Sequence, residues 1–130
     1  MKAGIVALAV LAAACGGGGG NGASDGGDTK PKAQEVSLLR LAFAPGDLSV
    51  PAGTSVTWRN DEVIGHTVTS GAVTGVDATT GLRTGQTPDG LFDAPLATKG
   101  ATFTHTFDKP GTYSYYCAIH LGMNSRVVVT

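Results

Sequence analysis

Residues 101–117 have the sequence ATFTHTFDKPGTYSYYC, which carries the clearest signal of the fold class. In its first half Phe103 and Phe107 alternate with threonines, the period of two that is typical of a half-buried strand. Asp108-Lys109-Pro110-Gly111 comes next, and proline with glycine in such a run favours a turn. The aromatic run over 112–117 indicates a second strand. The sequence therefore predicts two strands joined by a turn.

Similar signals extend over residues 36–130. Stretches of β-branched and aromatic residues are separated by Gly, Pro and Asp, and no helical periodicity interrupts them. About seven to eight short strands predict an all-β domain with the architecture of a Greek-key sandwich. The other predicted strands are Val36–Phe43, Leu48–Val50, Thr54–Asn60, His66–Ser70 and Arg126–Thr130.

Residues 71–100 are the exception to this pattern. They contain six glycines and two prolines, and they show little alternation. We expect a long loop here, lying as a flap across one side or end of the sandwich.

The N-terminal segment has the features of an export signal. Lys2 precedes an apolar run of about ten residues, half the roughly 20 that a membrane-spanning helix needs. We interpret residues 1–14 as a signal peptide. Cys15 follows Leu11-Ala12-Ala13-Ala14, which resembles the lipobox of bacterial lipoproteins. We expect a lipid on Cys15 and an exported, membrane-anchored protein that faces the periplasm or the cell exterior, with simple cleavage after Ala14 as the alternative.

Residues 15–35 differ in composition from the rest of the chain. Eight of the twenty residues 16–35 are glycine, and no apolar run is present. Such a segment buries too little surface to offset the entropy of ordering, so we expect a flexible tether that leads into the domain at residues 36–130.

The charge balance gives no sign of a nucleic-acid partner. The chain has 9 Lys and Arg residues against 10 Asp and Glu residues, a net charge of -1 with neutral histidines. A protein that binds nucleic acid would normally carry a basic patch or stripe. We expect a monomer without a nucleic-acid partner.

Residues 116–123 bring metal-binding side chains close together in sequence. Cys117, His120 and Met123 supply a thiolate, an imidazole and a thioether within seven residues. Sulfur ligands with imidazole suit copper, and two histidines, one cysteine and a weak axial methionine form the blue-copper arrangement. His66 is the candidate for the second histidine. Each residue alone is more often structural, but the combination predicts a copper site. His105 lies on the core face of its strand by parity, and we expect it to be structural or partly exposed.

The sequence resembles the cupredoxins of the plastocyanin and amicyanin type over essentially all of residues 36–130. The matching motifs are Phe43-x-Pro45, Val50-x-x-Gly53, Val56-Thr57-Trp58-x-Asn60, Gly65-His66-Thr67-Val68, Pro110-Gly111-x-Tyr113 and Cys117-x-x-His120-x-x-Met123. The resemblance implies one type 1 copper ion on His66, Cys117, His120 and Met123. It also implies transfer of single electrons between redox proteins at the membrane or in the periplasm.

The resemblance also suggests two surfaces for electron transfer. Tyr116 would form one surface port, with an ordinary exposed strand tyrosine as the alternative. Leu121 and Gly122 beside His120 would form an apolar docking face, with simple loop packing as the alternative. We further expect the N-H groups of Thr67 and Ile119 to donate hydrogen bonds to the Cys117 sulfur. The alternative for Ile119 is that the shorter loop points its N-H elsewhere.

Two other functions remain open on sequence grounds. A protein of the same fold could store or deliver copper, or the sandwich could be purely structural and bind no metal. Three histidines in the whole chain are too few for the trinuclear cluster of a multicopper oxidase, so we do not expect an enzyme.

Overall fold

The structure is a computed structural model that describes residues 30–130. The predicted signal peptide, Cys15 and most of the predicted tether lie outside the described residues. No helix within residues 30–130 has the length and apolar character needed to span a membrane.

Residues 30–130 contain nine strands in two sheets. One sheet has the order β2-β1-β4-β7 and the other the order β3-β9-β8-β5-β6. Strands β1 and β4 pair in parallel, as do β3 and β9, and the remaining neighbours are antiparallel. The predicted all-β sandwich is therefore confirmed. The strands are β1 Gln34–Leu39, β2 Ala42–Ala44, β3 Leu48–Val50, β4 Thr54–Asn60, β5 His66–Thr74, β6 Gly85–Leu96, β7 Thr102–Phe107, β8 Gly111–Tyr116 and β9 Asn124–Val129.

The first predicted strand, 36–43, is two strands in the structure. Arg40 and Leu41 both have a φ of 55°, a left-handed conformation that ends β1 and turns the chain back into β2. Strand β1 also begins at Gln34, opposite Val56, so the last two residues assigned to the tether belong to the sheet.

The prediction of a loop over residues 71–100 is wrong for most of that segment. The end of β5 and all of β6 lie there, and they pair from His66↔Leu96 to Thr74↔Gly85 with a bulge between Thr69 and Gly71. Gly71 indicates the physical reason, because a Cβ at this position would lie 2.2 Å from the backbone oxygen of Thr87. Glycine here permits a close approach of two strands, which sequence alone does not distinguish from a loop.

The core lies between the two sheets and centres on Trp58 of β4. Alternate residues of β4 are buried, and Trp58 is fully buried. Its ring packs 5.3 Å from Tyr115, 5.6 Å from Phe92 and 5.7 Å from Phe103, measured between centroids. His105 is half-buried on the same face, 4.7 Å from the Phe107 ring, as the strand parity predicts.

Candidate metal centre

The strand order brings the predicted metal-binding residues to one end of the larger sheet. Strand β5 runs antiparallel to β8, which runs antiparallel to β9. His66 is the first residue of β5, Cys117 follows β8 and Met123 precedes β9. The start of β5, the end of β8 and the start of β9 therefore meet, and residues about fifty positions apart become neighbours.

Three of these side chains form a compact donor group. Ligand atoms of His66, Cys117 and His120 all lie within 4.8 Å of one another. The Cys117 Sγ is 3.4 Å from Nδ1 of His120 and 3.9 Å from Nδ1 of His66. His66 and Cys117 are buried, whereas His120 is half-buried. One thiolate and two imidazoles converging in this way fit the trigonal part of a type 1 copper site.

Met123 belongs to the same loop as two of these donors. It is 1% exposed, and its backbone closes the loop because the N-H of Cys117 donates to its carbonyl at 3.0 Å. The Met123 N-H donates to the His120 carbonyl at 3.1 Å. We define residues 117–123 as the ligand loop. The soft thioether of Met123 suits the fourth ligand position of a copper site.

Glu62 orients the His66 ring, a role that the sequence analysis did not identify. Its Oε2 lies 2.7 Å from Nε2 of His66, which leaves Nδ1 free to bind a metal when Nε2 carries the proton. The Glu62 carboxylate also accepts hydrogen bonds from the N-H groups of Arg40 and Leu41. Burial raises the pKa of Glu62, but the hydrogen bonds from Leu41, His66 and Arg40 outweigh it and leave this pKa below its ordinary value.

Asn60 fixes the segment that carries Glu62. Its side-chain amide donates to the carbonyls of Ile64 and Leu96 at 2.8 and 2.9 Å, and its Oδ1 accepts from the N-H of Glu62 at 2.8 Å. The side chain is buried at the end of β4, so the turn into His66 is tied to both sheets.

The electrostatics of the site favour a neutral His120. Burial, and then the neighbouring His66, lower the pKa of the His120 imidazole, whereas Glu62 raises it by a smaller amount. A neutral imidazole is the form that binds metals, so this histidine is poised to act as a ligand.

One of the two hydrogen bonds expected at the Cys117 sulfur is present. The N-H of Thr67 donates to Sγ at 3.3 Å, and the Thr67 hydroxyl accepts the Ala118 N-H at 2.8 Å. Among the hydrogen bonds of the described residues, none joins the Ile119 N-H to Sγ, so that expectation is wrong. The ligand loop bends outward at this point, and Ile119 is 60% exposed.

Tyr116 does not form a surface port. Strand alternation turns it away from the core, as expected, but it is only 1% exposed because the guanidinium of Arg83 lies 4.8 Å above its ring. Arg83 is itself 1% exposed, and its role was not predicted. Leu121 and Gly122 are exposed beside His120, where Leu41, Leu82 and Ile119 are also exposed. We call these six residues, including His120, the apolar face.

Comparison with known proteins identifies the class to which this site belongs. The family model described as "Copper binding proteins, plastocyanin/azurin family" matches residues 32–130. The chain therefore belongs to this family of copper-binding proteins, the cupredoxins, and the donor group has the chemistry that such a site requires.

Individual relatives agree with this assignment. The chain is 30% identical to amicyanin-alpha of Methylorubrum extorquens over 73% of this chain and 70% of that protein. It is 35% identical to plastocyanin of Solanum crispum over 68% of this chain and 88% of that protein. Among solved structures, a purple cupredoxin from Nitrosopumilus maritimus is similar with a TM-score of 0.58 and 28% identity, covering 75% of this chain and 99% of the other.

Proposed function

We propose that this protein transfers single electrons between redox partners by means of one type 1 copper ion. The observation that carries this proposal is the convergence of the Cys117 thiol and the imidazoles of His66 and His120 within 4.8 Å. Copper, when bound, supplies a Cu(I)/Cu(II) couple. Met123 would be the fourth residue to hold the ion, through its thioether.

The protein contributes rigidity and exclusion of water. His66, Cys117 and Met123 are each at most 1% exposed, and their backbones are fixed by strands or by hydrogen bonds within the ligand loop. Ligands that are held in this way rearrange little when the charge of the ion changes. Little rearrangement lowers the barrier to electron transfer.

The proposed route for electrons leads through His120. This imidazole is the half-buried member of the donor group, and the apolar face surrounds it. A partner that covers this face would exclude water and approach the ring edge. Because Tyr116 is buried under Arg83, we propose a single docking surface for donor and acceptor redox proteins.

Substitution of the thiolate tests the copper assignment. Copper-loaded wild type should show an intense visible band from thiolate-to-copper charge transfer, and Cys117→Ser should remove it. His66→Ala should open the site and let added imidazole restore a coloured complex. A serine variant that keeps the band, or an alanine variant with an unchanged spectrum, would contradict the ligand set.

We prefer electron transfer over copper storage or delivery. In the part of the chain that the structure describes, His66, Cys117 and His120 form the one group of this kind, with no additional cluster for reserve copper. A carrier should cycle between oxidised and reduced forms without losing copper. If reduction instead releases the ion to a protein acceptor, storage or delivery is the better assignment.

We propose that the protein acts outside the cytoplasm, anchored by a lipid on Cys15. The apolar N-terminal run and the lipobox-like sequence support this location. The wild type should fractionate with membranes, because several acyl chains on one residue anchor a protein firmly. Cys15→Ala lacks the residue that would carry these chains and should be released. Intact mass spectrometry of the mature protein provides the second test. A mass that corresponds to a chain beginning at an unmodified Cys15 would reject lipidation.

A further inference from the structure

Arg83 is a buried cation with an unusual set of partners. It lies just before β6, it is 1% exposed, and in the described residues it forms no ion pair with a carboxylate. Arginine is rarely buried without such a partner, because the charge loses its hydration. The residue therefore needs another source of compensation.

Backbone carbonyls of the ligand loop provide that compensation. Nη2 of Arg83 donates to the Cys117 carbonyl at 2.6 Å, and Nη1 donates to the His120 carbonyl at 3.1 Å and to the Met123 carbonyl at 3.4 Å. All three carbonyls belong to proposed copper ligands. The guanidinium is also held by the side-chain oxygens of Asn124 and Gln86, at 2.8 Å from Nη1 and 2.7 Å from Nε.

The backbone of the segment that carries Arg83 is attached to the ligand loop and to the first residue of β9. The Arg83 N-H donates to the Leu121 carbonyl at 3.1 Å, and the Asn124 side-chain amide donates to the Gly81 carbonyl at 3.1 Å. A planar guanidinium offers several donors in fixed directions, so one side chain can hold several carbonyls at once. Lysine, with a single ammonium group, cannot reproduce that geometry.

We infer that Arg83 is a positioning residue of the metal centre, which holds the ligand loop in its binding geometry and whose buried positive charge favours reduced over oxidised copper. The first part concerns the protein alone, and the second rests on the proposed electron-transfer function. Neutral carbonyls orient the guanidinium without cancelling its charge. A fixed cation repels Cu(II) more than Cu(I), because the ions differ by one positive charge.

The experiment compares Arg83→Met and Arg83→Lys with the wild type. Arg126→Met is the matched control, because the Arg126 side chain is 55% exposed and its charge is paired with the Asp47 carboxylate at 3.0 Å. Three quantities are measured: the rate of copper release to a chelator, the reduction potential, and hydrogen exchange at the N-H groups of Cys117 and Met123 in the copper-free protein. These two N-H groups form the hydrogen bonds that close the ligand loop.

The methionine variant should release copper to the chelator about tenfold to hundredfold faster, in line with the loss of metal affinity typical when supporting contacts around metal ligands are removed. Its potential should fall further than that of Arg126→Met, and the two loop amides should exchange faster. The lysine variant keeps the charge but not the geometry. It should retain the wild-type potential while it releases copper faster than the wild type.

The outcomes separate the two parts of the inference. If Arg83→Met releases copper and exchanges the two loop amides at the same rates as the wild type, the positioning role is overturned. If its reduction potential equals that of Arg126→Met, the charge effect is overturned. If the methionine variant does not fold, Arg83→Lys decides positioning, because wild-type release and exchange rates would refute it. A fall in potential in that variant would refute the charge effect. Amide exchange does not depend on copper, so failure of the proposed function leaves this test intact.

Discussion

Replacement of Glu62 by glutamine tests how the protein sets the properties of the copper site. The change removes one negative charge with little change in shape. In the wild type the Glu62 carboxylate lies 2.7 Å from Nε2 of His66, whose side chain is fully buried, while the Glu62 side chain is 17% exposed. This contact strengthens electron donation from the imidazole and so favours Cu(II). Glutamine should therefore raise the reduction potential.

The size of the effect follows from the strength of this hydrogen bond. A hydrogen bond to a charged group contributes about 1.5–3 kcal/mol and a neutral one about 0.5–1.5 kcal/mol, so the substitution weakens the contact by about 1 kcal/mol. If only the Cu(II) form is destabilised by this amount, the reduction potential rises by about 40 mV, since a tenfold change in the equilibrium constant corresponds to about 59 mV for one electron. We take this value as the upper limit.

Voltammetry of copper-loaded Glu62→Gln at one pH provides the measurement, with Glu35→Gln as the control. Glu35 carries the same charge, pairs with Arg59 at 2.8 Å and has a half-exposed side chain on the other sheet. The melting temperature of Glu62→Gln should also be lower than that of the wild type. One amide oxygen cannot replace the two carboxylate oxygens that accept hydrogen bonds from Arg40, Leu41 and His66. A potential equal to or below that of Glu35→Gln would refute the proposed role.

Three further predictions follow from other parts of the structure. Ile119→Pro should leave the reduction potential unchanged by voltammetry, because the Ile119 N-H makes no hydrogen bond to the Cys117 sulfur, and a clear decrease would show that it does. Burial lowers the pKa of His105 more than Asp108 raises it. As the pH falls below about 6.5, this histidine is therefore protonated in the unfolded chain before it is protonated in the folded protein, and the free energy of unfolding decreases. Urea unfolding of the copper-free protein between pH 7.5 and 5 should therefore show a smaller loss in His105→Gln than in the wild type, and equal losses would contradict this sign. Leu121→Lys should slow electron self-exchange by about tenfold at low salt, because two apolar faces that meet would each carry a positive charge. Leu91→Lys, at an exposed position of β6, is the control, and equal rates in the two variants would argue against docking at this face.

The donor residues were predictable because most of their information is local. Cys117, His120 and Met123 lie within one seven-residue loop, and their spacing alone restricts the chemistry. His66 was predictable by its position at the start of a strand. The alternation of β4 and β7 gave the buried faces correctly, because the period of a strand is a property of neighbouring residues.

The supporting residues were not predictable, since their roles depend on contacts between distant segments. Glu62 contacts His66 from a segment that Asn60 fixes, and the left-handed turn at Arg40 and Leu41 points two N-H groups at its carboxylate. Arg83 lies in a glycine-rich stretch where a single arginine would normally be exposed. Only the pairing of β5 with β6 brings it under the ligand loop, and the same pairing covers Tyr116.

Glu62 and Arg83 act on the metal centre with opposite signs. The carboxylate accepts a hydrogen bond from the His66 imidazole and should favour the oxidised ion. The guanidinium is held by carbonyls of the ligand loop, and its positive charge should favour the reduced ion. The guanidinium is buried and the carboxylate is mostly covered, so dissolved salt screens both charges less than it screens surface charges. We therefore expect the balance between the two oxidation states to depend on how the chain folds around the ligands and only weakly on the ionic strength of the surroundings.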